Sequence, residues 1–416
     1  MTIAVHGFLA RGTIRSRAAI TATSVAMACA IAVTAAGCGT GQSASTAVTT
    51  RIGAPVLGVD QIVRLIPAGV EDLRAWSEAI ANALAANQLN SDKQAACAVI
   101  AVIAQESGFA ADPVVPGLAK IVATRIDHYK DKLGPLGDPL FKRLLAGRAP
   151  DDARTFEERI AHVRTERDVD LLFRDILAYY EVNHPAMFTA LNWAGKLVDV
   201  DSLAELNPVT TAGSMQVSVR FAAQWAQARK GATATAESVR EALYTRTGGV
   251  YYGTARLLVY PVRYQQQILR FADYNAGLYA SRNAAVQAQL AQLTGRKLAL
   301  DGDLLAYEKN GTPKDDETES MRAVHAFAQQ FVPDLAPGQI RSDLLLEKTL
   351  AFEDTATYRA LKQVATQRSR GPVDYAILPQ VSISSPKFTR SRSTAWFAQS
   401  VDRRYQSCLA ADGAAP

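Results

Sequence analysis

The chain has 416 residues, 48% of them hydrophobic and 20% charged, with a formal net charge of +5. That length supports one large domain or two. Arg11, Arg15 and Arg17 supply much of the excess charge from a stretch that holds no acid. The remainder is nearly balanced and lacks the basic stripe of a nucleic-acid footprint, so no nucleic-acid partner is expected.

The N-terminus reads as an export leader. A basic segment ends at Arg17, a mildly apolar stretch rich in Ala, Thr and Val runs from Ala18 to Thr34, and Ala35-Ala36-Gly37 precede Cys38. Basic, then apolar, then small is the secretory order. The cysteine directly after the small residues resembles a bacterial lipobox. That resemblance implies removal of residues 1–37, lipid on Cys38 and attachment to the cell envelope. A plain signal peptide with an incidental cysteine, or an uncleaved anchor, is the competing expectation. Gly39 rather than Asp follows Cys38, which by resemblance to enteric lipoproteins implies the periplasmic face of an outer membrane. Residues 38–56, rich in Ser, Thr, Ala and Gly, read as a flexible tether with a mean reach of ~23 Å. No later stretch approaches the ~20 apolar residues of a membrane span.

The body reads as mainly α. A short segment, Gln61–Ile66, precedes Pro67-Ala68-Gly69, and a helix is expected over Val70–Asn87. Ser91 is the expected N-cap of a second helix, Asp92 to Gln105, which Gly108 and Pro113 terminate. Its middle, Ala95 to Ala104, is apolar throughout, yet it runs into Gln105 and Glu106. From Asp112 to Pro208 apolar residues such as Leu118, Ile121, Val122 and Ile126 recur at helical spacing. Ser214 to Leu293 is again helical in pattern. Asn310–Ser320 is a polar loop, Met321–Phe331 and Leu344–Gln363 read as helices, and Gly371 to Arg392 reads as an extended segment wrapping the surface. Cys97 and Cys408 form an even pair in an exported chain, either bridged or present as two buried thiols. His128, His162, His184 and His325 show no zinc spacing, and neither a phosphate loop nor a nucleophile elbow occurs. No metal and no cofactor are expected.

Three short segments carry the chemistry. They are Gln105-Glu106-Ser107-Gly108-Phe109, Ala212-Gly213-Ser214-Met215-Gln216-Val217 and Ala272-Asp273-Tyr274-Asn275-Ala276-Gly277. In this order they resemble the signature of lytic transglycosylases related to goose-type lysozyme: Glu-Ser, then Gly-Leu-Met-Gln, then Ala-Tyr-Asn-Ala-Gly. Gly248 to Leu258 sits where that family has a Gly-centred helix. The resemblance implies a lysozyme-like helical domain in two halves, 57–113 and 207–299, with a helical insertion at 114–206 and a C-terminal extension at 300–416. It implies cleavage of the bond between N-acetylmuramic acid and N-acetylglucosamine, with peptidoglycan glycan strands as partner and a 1,6-anhydro product. Glu106 would act first as acid and then as base. Tyr274 would orient it, Met215 and Gln216 would line the cleft, and Asn275 would hold the third segment near the site. Ser107 would bond the substrate or cap a backbone group.

The residue chemistry fits. Protonating a glycosidic oxygen near neutral pH needs a carboxyl group in low-polarity surroundings, which penalise its charged form. The apolar run before Glu106 provides such surroundings. Most glycosidases use two carboxylates, but some rely on the substrate's own acetamido group. Against this stands a solvent-exposed helix-terminal Glu106, with Tyr274 and Met215 as core packing. Ser214 and Asp273 depart from the family pattern, and Asp273 is expected to be solvated on another helix face. Tyr129, Tyr179, Tyr180 and Trp193 of the insertion either bind glycan or form its own core. A non-catalytic glycan-binding lipoprotein and a hydrolytic muramidase are the alternative functions.

Overall fold

The computed structural model describes residues 56–132, 134–186, 188–189, 192, 206–230, 235–308, 311–369, 371–383 and 392–411. The expected leader, Cys38 and Trp193 lie outside them. In chain order, α1 (Val59–Val63), α2 (Leu73–Ala86) and α3 (Lys93–Glu106) precede α4 (Leu118–Lys132), α5 (Gly137–Leu145), α6 (Phe156–Ile160) and α7 (Glu166–Asn183). A small antiparallel hairpin follows, β1 (Thr211–Ala212) with β2 (Val217–Ser218), pairing Thr211 with Ser218. Next come α8 (Val219–Lys230), α9 (Ala236–Leu243), α10 (Arg246–Thr254), a π-helical turn (Ala255–Val259), α11 (Gln267–Ala276) and α12 (Ala280–Thr294). The C-terminal third holds α13 (Glu319–Phe331), α14 (Pro337–Leu344), a 3-10 turn (Leu350–Asp354), α15 (Ala356–Arg368), the paired strands β3 (Ser382–Ile383) and β4 (Arg392–Ser393), and α16 (Thr394–Ala410). The chain is thus mainly α. Among the described residues no helix is long and apolar enough to cross a membrane.

The first core is built around α3. Every residue from Ala96 to Ile103 is at most 2% exposed. A helix that is apolar all round must be covered all round, and α2, α10 and α16 do this. Cys97 and Cys408 join α3 to α16 through a disulfide, with their Cα atoms 5.6 Å apart. The C-terminal helix therefore completes the core that carries Glu106, a role that a sequence division at residue 300 does not convey.

Val286 and Leu290 of α12 pack instead with Phe327, Leu344, Phe352 and Leu361 in a second core. Arg282 of α12, fully buried, donates to the Thr349 carbonyl at 2.8 Å and to the Glu347 carbonyl, and pairs with Glu353 at 3.5 Å. A buried guanidinium is tolerated only when its donors are met in this way.

A third core is formed by Leu118, Leu145, Phe156, Ile160 and Leu172 of α4 to α7. Tyr179 packs edge-on against Phe156 at 5.6 Å, and the Tyr180 hydroxyl donates to the Arg143 and Leu144 carbonyls. Tyr179 packs against that core and Tyr180 is buried beside Tyr179, whereas Tyr129 is exposed.

Several boundaries differ from the sequence expectation. Asp92, not Ser91, caps α3, accepting from the Ala95 amide at 2.8 Å, while Ser91 donates to the Leu57 carbonyl. The helix expected over Leu344–Gln363 is broken, because the Asp343 carboxylate turns back to accept from the Thr357 amide at 2.9 Å at the start of α15. The helical pattern expected from Ser214 begins only at Val219, after the hairpin.

Candidate functional site

Glu106 is the last residue of α3 and is half-buried. Its neighbours fix the chain on both sides. The Gln105 side-chain amide oxygen accepts from the Ser400 hydroxyl of α16 at 2.8 Å. The Ser107 hydroxyl caps the helix, donating to the Ile103 carbonyl at 3.2 Å. Gly108 and Phe109 then turn sharply at φ 60° and 67°, and Phe109 seats edge-on against Trp76 at 5.4 Å.

The second segment is the turn of the β1–β2 hairpin. Gly213 has φ 80°, and a Cβ there would sit 2.0 Å from the Leu243 carbonyl oxygen, so only glycine fits. Met215 is fully buried, packed where Gly253 leaves room for its sulfur. Gln216 is half-buried and left-handed, with φ 49°. Its amide nitrogen donates to the Glu166 carboxylate of α7 at 2.9 Å, and its amide oxygen accepts from Thr211 at 3.1 Å.

The third segment closes α11. The buried Tyr274 donates its phenolic proton to the Met215 carbonyl at 2.6 Å. Burial pushes this phenol well above its ordinary value, the Glu106 charge adds to the rise, and Arg256 opposes it. One ring therefore touches the second segment and feels the first. Asn275 is exposed and accepts from the Thr394 hydroxyl at 3.0 Å, tying α11 to the start of α16.

Asp273 is not solvated but fully buried. It accepts from the Ser281 amide at 2.6 Å, from Tyr264 at 2.8 Å and from Tyr260 at 3.2 Å. Burial raises its pKa, and these hydrogen bonds pull it back. Its position one residue before Tyr274 turns it toward the first turn of α12, where free amides and the helix dipole favour an acceptor.

Two residues beside the site escaped the sequence reading. Glu166 opens α7, and nothing local announces its partnership with Gln216, which the chain reaches only after the whole insertion. Asp112 follows the turn after Glu106 and accepts from Thr165 at 3.0 Å, while its other oxygen is buried without a partner. Burial raises its pKa. A surface concavity bounded by Asp152, Arg159, His162 and Leu172 lies within the insertion and includes none of the motif residues. Among the described residues no three His, Cys, Asp or Glu side chains are grouped to hold a metal ion.

A family model described as "Protein of unknown function (DUF1615)" matches residues 69–411. "Uncharacterized protein YaiW" of Escherichia coli strain K12 is 35% identical over 359 residues, which cover 86% of this chain and 91% of that protein. No solved structure matches. The matched span takes in the second and third cores, most of the first, and each motif residue from Glu106 to Asn275, and the chain belongs to the DUF1615 family.

Proposed function

We propose that this protein is an envelope enzyme that cleaves peptidoglycan glycan strands between N-acetylmuramic acid and N-acetylglucosamine. Its lysozyme-like shell is tethered by lipid on Cys38 to the periplasmic face of an outer membrane. The observation that carries this is the Tyr274 phenol, which bonds the Met215 carbonyl and lies within electrostatic reach of Glu106. That side chain belongs to the third motif, bonds the second and lies within electrostatic range of the first, which supports reading the three as one site.

Glu106 protonates the leaving oxygen and then takes a proton from the attacking hydroxyl. Its place at the C-terminal end of α3 suits an acid, since the terminal carbonyls of a helix oppose negative charge there. With the acetamido group assisting, no second carboxylate is required. Attack by the muramic C6 hydroxyl closes the 1,6-anhydro ring without water.

The test is digestion of isolated cell wall by the protein freed of its lipid. Anhydro-muropeptides are expected, and Glu106→Gln should abolish their release without lowering the melting temperature. Reducing-end products would make the enzyme a muramidase. Undiminished release by Glu106→Gln would remove the assignment.

The contact between Gln216 and Glu166 favours a second function, a glycan-binding lipoprotein without catalysis. There the insertion occupies a cleft residue, and the protein would sediment with cell wall while releasing no fragment from it.

A further inference from the structure

Arg256 lies in the π-helical turn that continues α10. Such turns recur at functional sites, because the extra residue pushes a side chain out of the regular ladder. Its guanidinium carbon lies 5.3 Å from the ring centre of Phe221 and 6.0 Å from that of Tyr274. A guanidinium offers five N–H donors, and here one of them reaches the Tyr274 carbonyl at 3.5 Å. Arg256 forms no ion pair among the described residues. It is nevertheless partly exposed, so its spare donors are reachable from outside.

The charge balance around it is also incomplete. Burial, with the like charge of Arg220 adding to it, holds the Arg256 pKa below the usual arginine value. Asp273 is within electrostatic range but is committed to Ser281, Tyr264 and Tyr260. Among the described residues this cation has no carboxylate within ion-pair distance. The flanking rings leave the edge of the guanidinium as its hydrogen-bonding face, which matches a planar carboxylate in fork geometry.

We infer that Arg256 forms an anion subsite beside Tyr274 that binds a ligand carboxylate, making the bound strand an acidic amino-sugar polymer rather than a neutral one. This rests on the glycan-cleaving function proposed above. The carboxylate comes either from the lactyl group of muramic acid or from the stem peptides attached to it. Arg256 positions the strand, and the proton transfers belong to Glu106.

The test is a binding titration on the full chain carrying Glu106→Gln, so that no strand is cut. Three tetrasaccharides serve as probes: neutral N-acetylglucosamine, peptide-free alternating N-acetylglucosamine–N-acetylmuramic acid, and the same alternating strand bearing stem peptides. At least one acidic probe should bind about tenfold more tightly than the neutral one, and which of the two does so identifies the source. Adding Arg256→Gln should bring that probe down to the neutral level. Arg256→Lys, which keeps the charge and makes the smaller change to the packing, should also lose most of the preference, since an ammonium has no planar fork. A preference that survives both substitutions overturns the inference. So does equal binding of all three probes, which leaves the glycan function standing. Failure to bind any probe overturns both.

Discussion

Tyr274 is the residue on which the site turns. Its hydroxyl holds the Met215 carbonyl at the base of the hairpin turn, and its ring lies beside Arg256. Tyr274→Phe removes the donor and should cost ~1–3 kcal/mol, read as a lower midpoint in urea. If Tyr274 also positions Glu106, release of wall fragments should fall more steeply than stability does. Glu106, Gln216 and Tyr274 were legible because each sits in a short motif of recognisable spacing. Asp273 was not, because whether a carboxylate after a helical run meets solvent or the next helix depends on where Ser281 is brought. Glu166 and Arg256 were hidden for the same reason, since their partners come from other elements.

Among the elements, α3 and α16 depend most on each other. Periodicity cannot orient α3, since its middle is apolar on all sides, and only the assembled neighbours show why. The disulfide between Cys97 and Cys408 fastens α16 over this helix. Cys97→Ser should lower stability by about 2–5 kcal/mol, and Cys408→Ser by the same amount. The double substitution should add little to either, and denaturation of the three variants side by side checks this. The break between α14 and α15 eluded the sequence because the capping role of Asp343 at Thr357 is set by a turn of the chain rather than by a local motif.

At the scale of the whole molecule, three cores share one chain, and several acids beside them are drawn out of water on folding. Asp112, Asp273 and Glu347 all have raised pKa values, with burial as the leading cause. A carboxyl raised on folding adds stability that is full below its unfolded pKa and is lost as pH rises through the folded one. Carboxylates lowered by surface partners, such as Asp152 at about 2, complete their contribution in more acidic solution and do not alter this comparison. The thermal midpoint should therefore be higher at about pH 5 than at about pH 8, and Asp273→Asn should narrow the gap. The mainly α character was legible from periodicity across the body. The division into cores was not, because α12 leaves the first core for the second while α16 returns to the first. That return has a topological outcome. Cys97 and Cys408 lie 311 positions apart in the sequence, and all of residues 114–206 fall between them. A protease that nicks any one loop between them leaves two pieces still joined by this disulfide, which part only when a reductant opens it.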